Sequence, residues 1–195
     1  QEYEHLGTDI SCNLGSTNIV NLMKSPDFER SVDVAVRALT FVTDHSSIDA
    51  VPTVKNGNSK AHTIGLGAMG LHTFFALNQM EYGSPESIEA TDLYFRMLNF
   101  YTLKASNKIA KERGKSFEGF ERSKYATGEY FDSYIAEEVQ IQSDKVKKIF
   151  AKLPIPRRCD ERWIIPPKPF SNCANWFNQL RKRNKCFITP NHSFD

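Results

Sequence analysis

The 195-residue sequence predicts a mainly helical body followed by an irregular, basic tail. In the body, apolar residues recur at spacings of three and four, and cap residues stand at the ends of those stretches. In the tail, from Pro154 onwards, apolar residues keep no period, and four prolines lie between Pro156 and Pro169. The 14 Phe, 7 Tyr and 2 Trp supply enough apolar area for a core, which excludes disorder throughout the chain.

The first elements in chain order are a strand and a capped helix. Residues 8–23 mix apolar side chains with Ser, Asn and Gly, which predicts a strand ending near Cys12 and a turn at Asn13–Gly15. Ser25 or Asp27 then caps a helix from Phe28 to Val42, whose apolar residues lie on one face.

The middle of the chain predicts a connector and two further helices. Pro52 and the Lys55–Asn58 stretch are typical of a connector. Residues 65–80 are almost wholly apolar, which predicts a helix buried on both sides. Ser84 is the predicted cap of a long helix over Pro85–Arg113, which Gly114 ends. After Gly114, we expect an aromatic packed loop (117–134) and then a weak helix (135–153).

Charge is distributed unevenly along the chain. The net charge is +2, but residues 1–150 carry 16 Lys and Arg against 20 Asp and Glu, whereas residues 151–195 carry 9 against 3. A basic tail can bind nucleic acid; we interpret this one as a solvated or non-native tail. No apolar stretch approaches the ~20 residues of a membrane span, and no signal peptide opens the chain, so we expect a cytoplasmic location.

Cysteine spacing gives no metal pattern. The four cysteines are Cys12, Cys159, Cys173 and Cys186, with no CxxC, and a zinc site using the last two with His192 would lack a fourth ligand of obvious spacing. From the residues alone, Cys12 is either a buried structural thiol or a redox or catalytic one.

Two other motifs have structural interpretations. Residues 65–70 match GxGxxG, the dinucleotide-binding pattern, but no βαβ unit follows, which favours close helix packing by small residues. His45, His62 and His72 lack metal-ligand spacing, so we expect them to be structural.

Several long motifs occur together and in order. They are SCNLGSTNIVNLM (Ser11–Met23), the run Arg37–His72 containing HTIGLGAMGLH, EYGSPESIEATDLYF (Glu81–Phe95) and SKYATGEYFDSY (Ser123–Tyr134). Over about Leu6 to Leu153 the chain resembles the large (alpha) subunit of bacterial class Ib ribonucleoside-diphosphate reductase.

The resemblance implies a fold and a reaction. The fold would be α/β: residues 1–156 would form a fragment of a ten-stranded α/β barrel, mainly helical within this piece. The family reduces ribonucleoside diphosphates to deoxyribonucleotides with a thiyl radical, and two further cysteines become a disulfide. The implied partners are a smaller dimetal-radical beta subunit, a second alpha subunit and a glutaredoxin-like reductant. The resemblance implies no cofactor or metal bound by this chain and no membrane.

One functional residue can be transferred by its motif. Cys12, in Ser-Cys-Asn-Leu-Gly-Ser, matches the second member of the redox-active cysteine pair. The resemblance places the partner cysteine, and the Asn-x-Cys-x-Glu loop that carries the radical, upstream of Gln1. We therefore expect Cys12 to be the catalytic residue of this chain and the chain alone to be inactive.

The tail, residues 157–195, suggests an altered reading frame. Trp163–His192 can be back-translated so that reading one nucleotide later gives GLYHQNRLAIAPTGSISYVNETSASLHPI. The resemblance expects such a segment here, including its phosphate-binding Pro-Thr-Gly-Ser-Ile. We hypothesise a frameshift near Pro156–Cys159, which makes the three later cysteines accidental. A non-catalytic module that docks on reductase subunits or nucleic acid is the alternative function.

Overall fold

A computed structural model describes residues 9, 11–131 and 139–156 of the chain. Within these ranges, two strands pack against helices. The strands are β1 (Asn13–Asn18) and β2 (Ile64–Met69). The α-helices are α1 (Ile19–Met23), α2 (Phe28–His45), α3 (Pro52–Ala61), α4 (Leu71–Leu77), α5 (Pro85–Arg113), α6 (Lys124–Thr127) and α7 (Asp144–Phe150), with short 3-10 helices at Phe120–Arg122 and Glu129–Phe131.

The two strands form a parallel pair joined by a helical crossover. Their register runs from Asn13 opposite Ile64 to Asn18 opposite Met69. Parallel neighbours need such a crossover because the chain must return to the same end of the sheet; here α1, α2 and α3 supply it, and α2 packs on both strands. The prediction of a mainly helical α/β piece is confirmed by these helices and the parallel strand pair.

The position predicted for the first strand is wrong. The strand does not end near Cys12; it begins at Asn13, and the predicted turn at Asn13–Gly15 is its first half. Its polar sequence has weak strand propensity, so pairing with β2 decides the conformation. Gly15 also brings β1 close to α2: a β-carbon there would lie 3.2 Å from Cδ2 of Leu39.

The predicted helix after Asp27 is confirmed, and it forms the core with α5. The Asp27 side chain accepts a hydrogen bond of 2.9 Å from the Arg30 amide. Phe28 then meets two aromatic rings of α5 edge-on, with centroids 6.3 Å from Tyr94 and 5.8 Å from Tyr101. Such edge contacts are preferred because they pair the positive ring edge with the negative face. The helix runs three residues beyond the predicted end, to His45.

The long helix α5 has the predicted ends. The Ser84 side chain accepts from the Ser87 amide at 3.3 Å, Pro85 occupies the first turn, and Gly114 ends the helix with a left-handed φ of 66°. Glycine favours this cap because it lacks a β-carbon. Neither α5 nor any other helix in the described part of the chain is long and apolar enough to cross a bilayer.

The predicted connector around Pro52 is wrong, because residues 52–61 form α3. Pro52 occupies the first turn, where its missing N–H is no disadvantage, and His62 ends the helix with a φ of 51°. Gly57 and Asn58, which suggested a connector, are tolerated in the helix because both are buried against the segment preceding β1.

The apolar run over 65–80 is also not one helix. Its first part is β2, and α4 begins only after Gly70, which has a φ of 83°. The GxGxxG motif therefore lies on a strand and a strand-to-helix turn, which corrects its interpretation as helix packing. The first part of the apolar run forms a strand because it pairs with β1. A helix is also disfavoured here because each glycine weakens it by roughly 1 kcal/mol relative to alanine.

The C-terminal part of the body differs from its prediction in detail. The aromatic loop contains short helical turns, with Phe120 and Tyr125 buried. Of the predicted helix 135–153, the described residues from 139 onwards form a helix only in α7, and the Ser143 side chain caps it at the Val146 amide. Parts of both predictions, and the whole tail 157–195 with its three cysteines, lie outside the described residues.

Candidate functional site

Cys12 stands directly before β1, on the face of the sheet opposite α2. Alternate strand residues point to opposite faces, and Gly15 faces Leu39 of α2. A β-carbon built on Gly65, which pairs with Leu14, would lie 2.6 Å from Cδ2 of Leu14 and 3.4 Å from Sγ of Cys12. Leu14 is 78% exposed. The thiol and this leucine therefore share the face that the helices leave open, which we call the open face.

Gly65 makes room for the thiol. Any side chain at this position would displace the end of the Leu14 side chain and touch the Cys12 sulfur. The half-buried thiol consequently lies against the backbone of β2. A thiol beside a glycine has room on that side for a second thiol to approach it, which suits thiol–disulfide exchange.

The neighbours of Cys12 are hydrogen-bonded on the helix side. Ser11 Oγ donates to Asn58 Oδ1 at 3.3 Å, and Asn58 Nδ2 donates to the main-chain oxygen of Thr43 at 2.9 Å. Asn13 Nδ2 donates to Thr43 Oγ1 at 2.8 Å. Asn13, after the cysteine, therefore bonds directly to the end of α2. Ser11, before it, is connected to the same place through Asn58 of α3.

The same segment touches α3 through its backbone. The Asp9 amide donates to the main-chain oxygen of Thr53 at 3.0 Å, and the Thr53 hydroxyl donates to the Asp9 carboxylate. A β-carbon on Gly57 would lie 1.8 Å from the main-chain oxygen of Asp9. Only glycine permits this approach.

His62 belongs to an ionic cluster next to this segment. Its Nε2 lies 3.2 Å from Asp44 Oδ1, and Arg113 donates to both oxygens of the same carboxylate. Burial lowers the pKa of His62 below 6.5, although Asp44 opposes this shift. The cluster ties the end of α3 to the ends of α2 and α5, which agrees with a structural histidine.

The other predicted structural histidines have separate contacts. His45 Nδ1 lies 2.8 Å from the main-chain oxygen of Phe41, and the His72 ring is 6.0 Å from that of Tyr82. Among the residues that the structure describes, no group of three or more His, Cys, Asp or Glu side chains could hold a metal ion.

The sequence prediction missed the residues that contact the chain on either side of Cys12. Thr43 lies one residue past the predicted end of α2, and Gly57 and Asn58 both lie within the predicted connector. One signal was available: Pro52 stands at a position where a helix can begin.

The sequence profile of the ribonucleotide reductase barrel domain matches residues 1–182. The chain is 42% identical over 155 residues to the ribonucleoside-diphosphate reductase subunit alpha of Bacillus subtilis, covering 80% of this chain and 22% of that protein. It is 41% identical over 165 residues to the subunit of the same name from Mycoplasma pneumoniae, covering 83% of this chain and 23% of that protein.

A more distant relative comes from a virus. The ribonucleoside-diphosphate reductase large subunit of Equine herpesvirus 1 is 34% identical over 136 residues, covering 63% of this chain and 17% of that protein. The chain thus spans less than a quarter of the length of these curated relatives.

Proposed function

We propose a function from one premise: this chain belongs to the ribonucleotide reductase barrel-domain family. In the assembled enzyme it would form part of the α/β barrel of an alpha subunit that reduces ribonucleoside diphosphates to deoxyribonucleotides. Its parallel β1–β2 pair with a helical crossover supports this assignment, since parallel barrels are built from such units.

In this proposal Cys12 is one of two thiols that supply the reducing electrons. The pair loses two hydrogen atoms and becomes a disulfide. One hydrogen leaves with the 2′ hydroxyl of the ribose as water, and the other replaces that hydroxyl on C2′. The observation that carries the role is the position of the Cys12 sulfur, on the open face and beside Gly65. A second thiol must bring its Cα to within about 4.4–6.8 Å of that of Cys12.

The partners follow from the same assignment. The substrate is a ribonucleoside diphosphate, the radical comes from a metal-containing beta subunit, and a glutaredoxin-like protein restores the thiols in the cytoplasm. The chain contains no Asn-x-Cys-x-Glu sequence, which is the loop that would carry the thiyl radical. We therefore propose that the chain alone does not turn over.

A chimera tests the proposal. Residues 1–156 replace the matching segment of the Bacillus subtilis alpha subunit, and product is measured with beta subunit, dithiol and a ribonucleoside diphosphate. We expect deoxyribonucleotide from this chimera and a loss of more than about 100-fold with Cys12→Ser, because no disulfide can form. Ser16→Ala, on the same face, is the control, and binding of the beta subunit verifies assembly. Unchanged turnover of the Cys12→Ser chimera would overturn the assignment.

A non-catalytic docking role is the second candidate. Leu14 and Met69, on the open face, are 78% and 54% exposed, and apolar side chains in such positions favour contact with another protein surface. Pull-down of purified alpha and beta subunits by the full chain, with no product formed, supports docking. Salt-sensitive nucleic-acid binding that disappears on removing residues 157–195 supports the nucleic-acid form of this role.

For residues 157–195 we propose translation out of frame. The reconstructed GLYHQNRLAIAPTGSISYVNETSASLHPI segment supports this proposal. The family match itself runs to residue 182, beyond the frameshift that we place near Pro156–Cys159. The coding sequence decides whether the reading frame changes there. A shifted frame that encodes this segment is the expected result; a shifted frame without it would refute the proposal.

A further inference from the structure

Three described residues at or just before the start of β1, each two positions from the next, are hydrogen-bonded to the helices. Asp9, Ser11 and Asn13 each hydrogen-bond towards the helices, the first to α3, the second to α3 and the third to α2. Residues two apart point to the same side of an extended chain. Cys12 lies between two anchored residues, so its side chain is directed to the other side, where the sulfur meets Gly65.

Two buried side chains provide the anchoring bonds on either side of the cysteine. Thr43 is 1% exposed; its hydroxyl donates to the Leu39 main-chain oxygen at 3.0 Å and accepts from Asn13. Asn58 is 8% exposed and connects Ser11 to the Thr43 main-chain oxygen. Buried polar groups are costly to leave unsatisfied, so these bonds favour one position of the segment.

Gly57 sets the distance between this segment and α3. Because its missing β-carbon would lie 1.8 Å from the Asp9 main-chain oxygen, a larger residue must move either α3 or the segment. The α3 helix is fixed at its other end by the His62–Asp44 contact of 3.2 Å. A side chain at position 57 would therefore move the segment that carries Cys12.

We propose that Thr43, Asn58 and Gly57 are positioning residues that hold the Cys12 backbone and direct its thiol onto the open face. The inference rests on the proposed redox role of Cys12. Disulfide formation tolerates only a narrow range of separations between the two Cα atoms, so a thiol that forms and breaks this bond in each cycle benefits from a fixed backbone. These residues would act through the position of Cys12 without touching the substrate.

The test measures thiol reactivity in the full 195-residue chain. Iodoacetamide modification of Cys12 is followed by peptide-resolved mass spectrometry, which separates it from the other cysteines, together with amide exchange of residues 9–13. We expect Thr43→Val and Asn58→Ala to raise both rates by about fivefold or more, because the half-buried thiol is released when the segment opens. Thr43→Ser, which keeps the hydroxyl, restores wild-type rates.

Thr102→Val is the matched control. Thr102 is also a buried helical threonine, 4% exposed, whose hydroxyl donates to the main-chain oxygen four residues earlier, Leu98, at 2.6 Å. Its loss destabilises α5 without touching the Cys12 segment, so Cys12 should react within about twofold of wild type. Ser11→Ala removes the hydrogen bond to Asn58 without changing a core residue. It provides the same test if a core variant does not fold.

The outcomes separate this inference from the proposed function. Equal Cys12 rates in wild type, Ser11→Ala and folded Thr43→Val would overturn the positioning role, and so would an equal increase in Thr102→Val. Neither result bears on the chimera assay, which reports whether Cys12 is needed for turnover. Conversely, a Cys12→Ser chimera of full activity would refute the redox role. The hydrogen bonds that hold the segment could still be tested by alkylation and amide exchange in the full chain.

Discussion

The hydroxyl of Tyr94, in the buried middle of α5, lies 3.0 Å from the hydroxyl of Thr17 in β1. Thr17 Oγ1 also donates to the Gly67 main-chain oxygen of β2 at 3.2 Å. One tyrosine thus connects the long helix to both strands on the side opposite the open face. Burial raises the pKa of Tyr94 above its ordinary value of 10, and the bond to Thr17 partly offsets the shift.

Tyr94→Phe should therefore lower the free energy of unfolding by about 1 kcal/mol, the usual net value of one buried hydrogen bond. Urea denaturation monitored by circular dichroism measures the change. Tyr82→Phe is the control, since Tyr82 is 65% exposed and should show little change. Equal effects of the two substitutions would contradict a role for the bond to Thr17.

Gly57→Ala should destabilise the chain by about 1–3 kcal/mol, because the new β-carbon overlaps the Asp9 main-chain oxygen and forces a backbone shift. Thermal unfolding measures this loss. Gly67→Ala provides the comparison: its β-carbon would meet only ordinary contacts, the nearest being Ser16 Oγ at 3.4 Å. A Gly57→Ala chain as stable as the Gly67→Ala chain would show that α3 does not approach the segment this closely.

The His62 cluster predicts a dependence of stability on pH. Burial lowers the pKa of folded His62 below 6.5, so the unfolded chain takes up its proton at higher pH than the folded chain. This contribution to the free energy of unfolding is fully present above pH 6.5 and decreases as the pH falls through the folded pKa. Denaturation at about pH 8 and about pH 5 measures the difference.

The control for this effect is His62→Asn, since asparagine tolerates the left-handed backbone at this position. We expect the pH-dependent difference to shrink in this variant. An unchanged difference would assign it to other titrating groups.

The open face predicts self-association of the chain. Leu14 and Met69 are exposed there, and among the described residues nothing pairs with the outer edges of the two-stranded sheet. Sedimentation velocity should show association that increases with concentration and that Leu14→Ser with Met69→Ser reduces. Val34→Ser, at an exposed site on α2 (56%), should not reduce it. A concentration-independent monomer would contradict this prediction.

The helix α5 could be predicted from the sequence because its limits are local. Ser84 caps its first turn, and Gly114 adopts the left-handed conformation that ends it. Asp27 works in the same way for α2. These signals need no knowledge of distant residues, so the pattern and the structure agree.

The limits of the strands and the existence of α3 could not be predicted because distant contacts decide them. The sequence of β1 is polar and that of β2 is glycine-rich, and each is extended because it pairs with the other across fifty residues. Gly57 is helical and buried because Asp9 packs against it. The position of Cys12 depends on the same contacts, which explains why its motif indicated the chemistry but not the surroundings of the thiol.

Mapping the disulfides of the chimera after turnover tests whether Cys12 supplies electrons to the substrate. The chimera, with serines in place of the C-terminal cysteines that could re-reduce the disulfide by exchange, reacts with beta subunit and ribonucleoside diphosphate without reductant. It is then alkylated and digested. We expect Cys12 to become disulfide-bonded in step with product, one disulfide for each deoxyribonucleotide formed, because each reduction consumes two thiols. Product formed while Cys12 remains fully alkylatable would contradict it.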